Sequence, residues 1–292
     1  MAKLIKIGSR ESELAVTQSK IVMDAISKSN PEIELELVLI KTTGDIIQDR
    51  SLDAIGGKGL FIKELEYALL EGDVDIAVHS YKDMPYEDTE GLPIVAVSER
   101  EAPFDALVLP EGAREIDISK PVGSSSQRRA IQFSRLYQGY DVSPVRGNVQ
   151  TRLAKLDSGE YGALILAQAG LKRLSLESRI NHVFTAEEMI PSGSQGILAV
   201  QGRAGEDYSY LQGFHNNESE IISKAERQFL KTLGSSCTSP VAVFAQLKGS
   251  ELYIMGMYVD EEGNVELGSI SGAVGEAEQL GEQLALQLGV RN

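Results

Sequence analysis

Apolar positions along the chain change their period several times, and each change marks an element. Leu4-Ile5-Lys6-Ile7-Gly8 reads as a first strand, and Ser9-Arg10-Glu11-Ser12 as a turn with N-cap candidates. Leu14, Gln18, Ile21, Val22, Ala25 and Ile26 then recur at helical spacing until Asn30-Pro31 stops the helix. Ile33, Leu35, Leu37 and Leu39 alternate with Glu34 and Glu36, which predicts a strand with one wet face. Gly56-Gly57-Lys58-Gly59 opens a helix carrying Leu60, Phe61, Leu65, Ala68 and Leu69, with Gly72 in the helix-ending position. Val74 to Val78 is a short apolar run, the pattern of a buried strand, and it breaks into His79-Ser80-Tyr81-Lys82-Asp83-Met84-Pro85. Leu92 to Val97 completes a strand-helix alternation expected of a mostly parallel α/β domain.

Glu99 to Pro103 reads as a crossing into a second unit of the same kind. Its strands are expected at Ala106–Leu109, Pro121–Gly123, Val142–Val145 and Ala163–Ala167. Ile190 to Gly196 reads as a second crossing, with Ile197 to Val200 returning as a strand to the first domain. A helix follows from Ser219 to Leu233, then a loop, Ser235 to Pro240, and an apolar run, Val241 to Ala245. Two antiparallel strands, Leu252–Val259 and Val265–Leu267, are joined at Glu261-Glu262-Gly263-Asn264, and Ala277, Leu280, Leu284 and Leu288 mark a last amphipathic helix. The fold class is therefore α/β. Domain 1 comprises residues 1–98 with 194–215, domain 2 comprises 99–193, and a small α+β domain 3 comprises 216–292. Two sheet domains joined by two crossings form a cleft, resembling type II periplasmic binding proteins in fold alone.

Composition narrows the function classes. The 292 residues suffice for two or three cores, and 42% hydrophobic with 24% charged is a globular profile. A net charge of -15 argues against broad binding to nucleic acid or anionic membranes, so an anion site here must gather its cations locally. The single cysteine, Cys237, excludes an internal disulfide and a cysteine-cluster metal site. The three histidines have no metal-ligand spacing, so no metal is expected. No stretch has signal-peptide or membrane-span length, which makes the cytoplasm the default compartment.

Candidate chemistry gathers at element ends. The Val74–Pro85 stretch delivers His79, Ser80, Lys82 and Asp83 into one loop, where α/β sheets hold ligands, although a solvated loop has the same look. The glycine loop with Lys58 exposes backbone N–H groups at a helix start, which favours anions without matching a nucleotide motif. Gly123-Ser124-Ser125-Ser126-Gln127-Arg128-Arg129 and Arg146-Gly147-Asn148-Val149-Gln150-Thr151-Arg152 are turns before helices, and Arg173 follows a third strand. Arginine forks suit carboxylate or phosphate, so five arginines at such turns point to a convergent anion site rather than to independent surface charges. Cys237 sits among small polar residues with no nearby base; a core thiol and a covalent anchor are both open on spacing alone.

Taken together, these stretches resemble the porphobilinogen deaminase (hydroxymethylbilane synthase) family. The matching motifs include Gly8-Ser9-Arg10-Glu11-Ser12, Lys41-Thr42-Thr43-Gly44-Asp45, Gly57-Lys58-Gly59-Leu60-Phe61 and His79 to Pro85. They continue through Gly123 to Arg129, Arg146-Gly147-Asn148, Ala169-Gly170-Leu171-Lys172-Arg173, Gln195-Gly196 and Ala225-Glu226-Arg227. The resemblance implies a monomeric transferase that condenses four porphobilinogen molecules with loss of ammonia. It also implies a dipyrromethane cofactor joined by a thioether to Cys237. By the same resemblance Asp83, Arg10 and Lys82 are catalytic. Ser12, Lys82, Asp83, Ser124, Ser125, Arg128, Arg129, Arg146, Gly170 and Arg173 bind the cofactor; Ser80 adds a hydrogen bond. Arg10, Gln18, Phe61, Arg146, Arg152 and Gln195 are assigned to the substrate.

The chain departs from the family pattern at Ser235 and Ser236 before the cysteine, where glycines are usual. Ala54 replaces a lysine, Ser194 a glycine, Phe104 an arginine and Gln201 a glutamate. These departures bear on rate and loop shape rather than reaction type. The rival reading is a non-catalytic bilobal protein that binds a carboxylated small molecule, for which Cys237 would have no use.

Overall fold

The computed structural model describes residues 4–42, 62–87, 89–234 and 240–289. The chain divides into two compact units, Met1–Glu101 with Ile197–Glu220, and Ala102–Gly196 with Ile221–Asn292.

The first unit begins β1 (Leu4–Arg10), α1 (Glu13–Ser29), β2 (Glu34–Ile40), α2 (Lys63–Leu70) and β3 (Ile76–Ser80). One 3-10 turn, Tyr81–Asp83, and β4 (Ile94–Val97) follow, and β10 (Leu198–Gly202) returns from the second unit. The sheet order is β2-β1-β3-β10-β4; β1 runs parallel to β2 and β3, and β10 runs antiparallel to β3 and β4. One face buries Ile5, Ile7, Ile76 and Val78 against Val22 and Ile26 of α1. The other packs Ala77 against Leu65, Ala68 and Leu69 of α2. Each fully buried Ile or Leu contributes about 1.5–3 kcal/mol, which outweighs the helix propensities. Helix α1 starts where expected: Ser12 Oγ accepts from Ala15 N at 3.4 Å. It ends at Asn30, whose Nδ2 donates to Ile26 O and Tyr210 O. The expected one-sided alternation of β2 holds through Leu37, with Ile33, Leu35 and Leu37 on the α1 side and Glu34 and Glu36 exposed, and fails after it. Leu39, on this edge strand, is 52% exposed, while Val38 and Ile40 pack on the α2 face.

The second unit holds two sheets. β5 (Asp105–Val108), β6 (Val122–Gly123), α3 (Gln127–Leu136), β7 (Val142–Ser143), α4 (Val149–Asp157), β8 (Ala163–Ala167), α5 (Gln168–Arg173) and β9 (His182–Val183) build the first. Its order is β7-β6-β8-β5-β9, with β6 parallel to β7 and β8, and β5 antiparallel to β8 and β9. The second sheet is an antiparallel meander, β11 (Ala242–Lys248), β12 (Glu251–Val259) and β13 (Val265–Ala273), packed by α6 (Asn217–Thr232) and α7 (Ala277–Gly289). A shared cluster joins the two sheets: Ala186 and Ile190 pack with Ala242, Phe244 and Met257, and Phe104 stacks tilted on Phe244 at 5.6 Å. Strand β13 runs six residues past the expected Leu267. Its Gly268 and Gly272 are poor strand formers, but a Cβ at Gly272 would lie 2.7 Å from Leu280 and one at Gly268 3.0 Å from Leu288. Among the described residues, no helix is long and apolar enough to cross a membrane.

Helix α7 meets α6 at buried Gly281, where a Cβ would run into the Ala225 carbonyl oxygen. Alanine has the better helix propensity by about 1 kcal/mol, but overpacking against backbone costs about 1–3 kcal/mol or more. Gly281→Ala is therefore expected to lower the urea midpoint, with a net loss of stability of up to about 2 kcal/mol after the propensity gain. A midpoint at or above wild type would show that the two helices can separate freely.

Candidate active site

In the first unit the carboxyl ends of β1 and β3 fall at one edge of the sheet, since Gly8 lies opposite Ala77 in a parallel pair. That register brings Arg10 to the edge beside His79 and Ser80. Ser80 Oγ and Gln18 exchange two hydrogen bonds, Nε2 to Oγ at 2.9 Å and Oγ to Oε1 at 3.2 Å, which lock α1 to the strand end. The following turn is held from below. Tyr81 N donates to Ile197 O at 3.0 Å, and Tyr81 and Met84 are buried with Ile62, Val97 and Ala199. Anchoring at positions 81 and 84 leaves Lys82 half-buried and Asp83 exposed. Ser12 caps α1 at the same edge. The structure thus gathers Arg10, Ser12, Gln18, Ser80, Lys82 and Asp83 on this edge. Phe61 and the glycine loop at 56–59 lie outside the described residues.

In the second unit the parallel strands β7, β6 and β8 deliver the starts of α4, α3 and α5 to one edge. Ser126 caps α3 through Arg129 N, and Asn148 caps α4 through Thr151 N at 2.8 Å. Ser125 Oγ donates to Val145 O at 2.6 Å and accepts from Val145 N at 3.1 Å, and Ser124 N donates to Ser143 O. Both serine turns are thereby fixed to the neighbouring strand. Arg152 Nε donates to the Gly147 carbonyl at 2.8 Å, and Gly147 has a φ of 109, open to glycine. Arg173 donates to Gly196 O at 2.6 Å. Arg146 is half-buried, and Gly170 lies within α5.

Arg128 and Arg129 differ from these: they are 4% and 7% exposed, and both hold Asp105, which is fully buried. Arg128 NH1 meets Asp105 Oδ2 at 2.7 Å and Ile190 O at 2.7 Å. Arg129 bonds Asp105 Oδ1 through Nε at 2.9 Å and NH2 at 2.7 Å, and donates to Ile165 O. Gln195, 1% exposed, donates to Asp105 Oδ1 at 3.0 Å and Pro103 O at 2.7 Å. Burial alone would push the Asp105 carboxyl up. The Arg128 and Arg129 guanidiniums override it and hold the group well below the usual carboxylate range. Two guanidiniums against one carboxylate leave this buried knot with one excess positive charge.

Asp105 was not singled out by sequence reasoning. Its only signal is a charge at the head of the apolar run Ala106–Leu109. Glu226, fully buried, was noted only within a motif; it accepts from Ser194 N at 2.6 Å and Ala245 N at 2.7 Å. Ser194 has a φ of 61 and a buried hydroxyl without a partner. This is left-handed backbone that costs a non-glycine residue about 1–2 kcal/mol. Cys237, Ser235, Ser236 and Ala54 lie outside the described residues.

Comparison with known proteins bears on the whole chain. Residues 5–210 match the family described as "Porphobilinogen deaminase, dipyromethane cofactor binding domain", and residues 221–289 match "Porphobilinogen deaminase, C-terminal domain". A protein of Acetivibrio thermocellus named porphobilinogen deaminase is 53% identical, with 97% of each chain covered. One of the same name from Alkaliphilus oremlandii is 54% identical, covering 97% of this chain and 96% of its own. Among solved structures, the methionine-binding protein MetQ aligns over 76% of this chain and 94% of its own, with 13% identity and a TM-score of 0.47, too low a likeness to carry an argument.

The depressed Asp105 carboxyl gives stability that is present above its unfolded value of about 4 and is lost as pH falls below it. Asp105→Asn leaves two buried guanidiniums without a counter-charge and is expected to destabilise the second unit by about 3–5 kcal/mol at neutral pH. Its stability should also fall less than wild type between about pH 4 and pH 2. Urea unfolding across that range checks both. Parallel curves for the two proteins would contradict the role given to Asp105.

Proposed function

The chain belongs to the porphobilinogen deaminase family, and from that premise we propose that it condenses four porphobilinogen molecules head to tail into linear hydroxymethylbilane. In each round the aminomethyl nitrogen of one porphobilinogen leaves as ammonia. Its methylene then bonds to the free α-carbon of a neighbouring pyrrole, and the displaced hydrogen leaves as a proton. Water releases the finished chain. The observation that carries this reading is the family match across residues 5–210 and 221–289, with Asp83 present at the strand end.

The family's cofactor is a dipyrromethane, and the residues present fit such a group. It bears carboxylates and pyrrole N–H donors, so it needs cations and a carboxylate acceptor. The first unit offers Arg10, Lys82 and an exposed Asp83 at one edge. The second offers Arg146, Arg152, Arg173, Ser124 and Ser125 beside a knot with excess positive charge. When bound, the dipyrromethane supplies the pyrrole carbon that primes the chain. Cys237 would hold it through a thioether.

The roles of the chain's own groups follow from charge. Departure of ammonia leaves a cation on the substrate pyrrole and its methylene. The Asp83 carboxylate stabilises that cation at the pyrrole N–H and assists removal of the α-proton. Arg10, Arg146 and Arg152 hold substrate carboxylates by paired N–H bonds. Lys82 stands beside Asp83 as a point charge, and Gln18 keeps Ser80 in place. Arg128, Arg129 and Gln195 act on bound carboxylates as a charged, preorganised knot around Asp105. The three-part working division, 1–98 with 194–215, 99–193 and 216–292, belongs to the same proposal, as does a monomeric, cytoplasmic state.

Intact mass of the purified protein is the first test. An excess of two linked pyrrole units on the peptide bearing Cys237, absent from Cys237→Ser, is expected. A wild-type chain that gains no mass and releases no ammonia with porphobilinogen would favour a carboxylate-binding protein. Asp83→Asn should retain the adduct and the fold while slowing ammonia release by about a hundredfold or more. Turnover within a few-fold of wild type would remove Asp83 from the chemistry.

A further inference from the structure

Behind the strand end that carries Ser80, Lys82 and Asp83 lies a polar layer that these roles do not use. His79 is 6% exposed, and its Nε2 is buried without a hydrogen-bond partner. Strand β10 pairs Gln201 with Ala77 and Ala199 with His79, so Gln201 and His79 are diagonal neighbours on one face of the sheet. Gln201 is 1% exposed, and both of its amide hydrogens are in use: Nε2 donates to Glu66 Oε1 at 2.9 Å and to Leu92 O at 3.1 Å. Glu66 Oε1 is held in turn by Thr89 Oγ1 at 2.6 Å. The amide cannot turn over without losing both bonds. Its Oε1 therefore stays on the other side, and it too has no hydrogen-bond partner.

Two unsatisfied buried atoms in one layer are costly, and one arrangement serves both. A neutral imidazole has one donor and one acceptor nitrogen. An Nε2–H turned to Gln201 Oε1 pairs the two leftover atoms, and the opposite tautomer pairs neither. The charged groups on the surrounding elements are Lys6 and Arg10 on β1, and Lys63, Glu64 and Glu66 on α2, of which Glu66 is bonded to Gln201. Burial, above all, pulls the His79 imidazole down from 6.5 to about 4; Gln201 works the other way, and the Arg10 charge adds to the fall.

Resting on the deaminase reading, we propose that Gln201 is a positioning residue: its locked amide fixes His79 as the neutral Nε2–H tautomer beside Arg10. The coupling between His79 and Arg10 is mutual, so an imidazolium would press its charge on Arg10 and make that group's field depend on pH. A carboxylate at position 201 would favour the imidazolium. Glutamine at this position, locked by Glu66 and Leu92, keeps the histidine out of titration while the enzyme works.

The test joins a spectroscopic and a kinetic readout. Long-range proton–nitrogen spectra of 15N-labelled protein, with His79 assigned by His79→Gln, give its tautomer and titration. In wild type, His79 is expected as Nε2–H, with no titration between about pH 5.5 and about pH 8.5. In Gln201→Glu it should titrate inside that window, and the kcat/KM profile should gain an inflection at the same pH, with KM changed by less than about twofold. An Nδ1–H tautomer in wild type overturns the proposal, as does a His79 titration or a rate profile unchanged by Gln201→Glu. The wild-type tautomer decides alone if the variant does not fold. A wild type with the expected tautomer that releases no ammonia from porphobilinogen overturns the deaminase reading and leaves the tautomer assignment standing.

Discussion

Asp105 is the constraint on which the second unit depends. One carboxylate at the head of β5 holds both arginines of the first turn of α3 and the amide of Gln195. Through those arginines it also ties the Ile190 and Ile165 carbonyls, so the strand, the helix and the 190–196 segment share one buried centre. A charge taken out of water is tolerated only when paired and hydrogen-bonded, and here both conditions are met on every side. Because there are two cations and one anion, the centre also keeps a positive field at the start of α3. The groups that hold the strand, the helix and the segment together are therefore also the source of that field.

The two units reach a comparable arrangement by the same rule. Parallel strands end at one edge, and the turns that follow carry the polar groups. What makes each turn precise is an apolar or hydrogen-bonded anchor beside the polar residue at the edge. Tyr81 and Met84 are buried around Lys82 and Asp83, and Ser125 is bonded twice to Val145 next to Arg146. A reaction that develops and disperses positive charge needs such fixed dipoles and charges, since side chains that must reorganise first would lose much of the benefit.

Much of this was legible in the sequence. The helical period from Leu14 to Ile26, stopped at Asn30-Pro31, located α1, and the apolar run Val74–Val78 breaking into His79 located the strand end that carries Asp83. The failures have physical causes. Strand β13 was cut short because Gly268 and Gly272 carry no strand signal; they are small to admit Leu288 and Leu280 from α7, a partner the local pattern does not contain. Leu39 reads as a core position by alternation and is exposed because its strand lies at the sheet edge. Asp105 was missed because a single aspartate ahead of an apolar run is an ordinary feature until its partners are known.

The sequence by itself determined the period of each element, the residue types at each turn, and the motifs that place the chain in its family. Those are local properties, set by spacing and by side-chain chemistry over a few residues. Only the tertiary structure decided which arginines are enclosed around a carboxylate and which stand at the edge, since Arg128 and Arg152 look alike in sequence. It alone decided that Gln201 faces His79 and that Ser194 occupies left-handed backbone held by Glu226. Each of these pairs residues far apart in the chain. Burial, counter-charge and hydrogen-bond satisfaction are sums over neighbours in space, and no local pattern carries that sum.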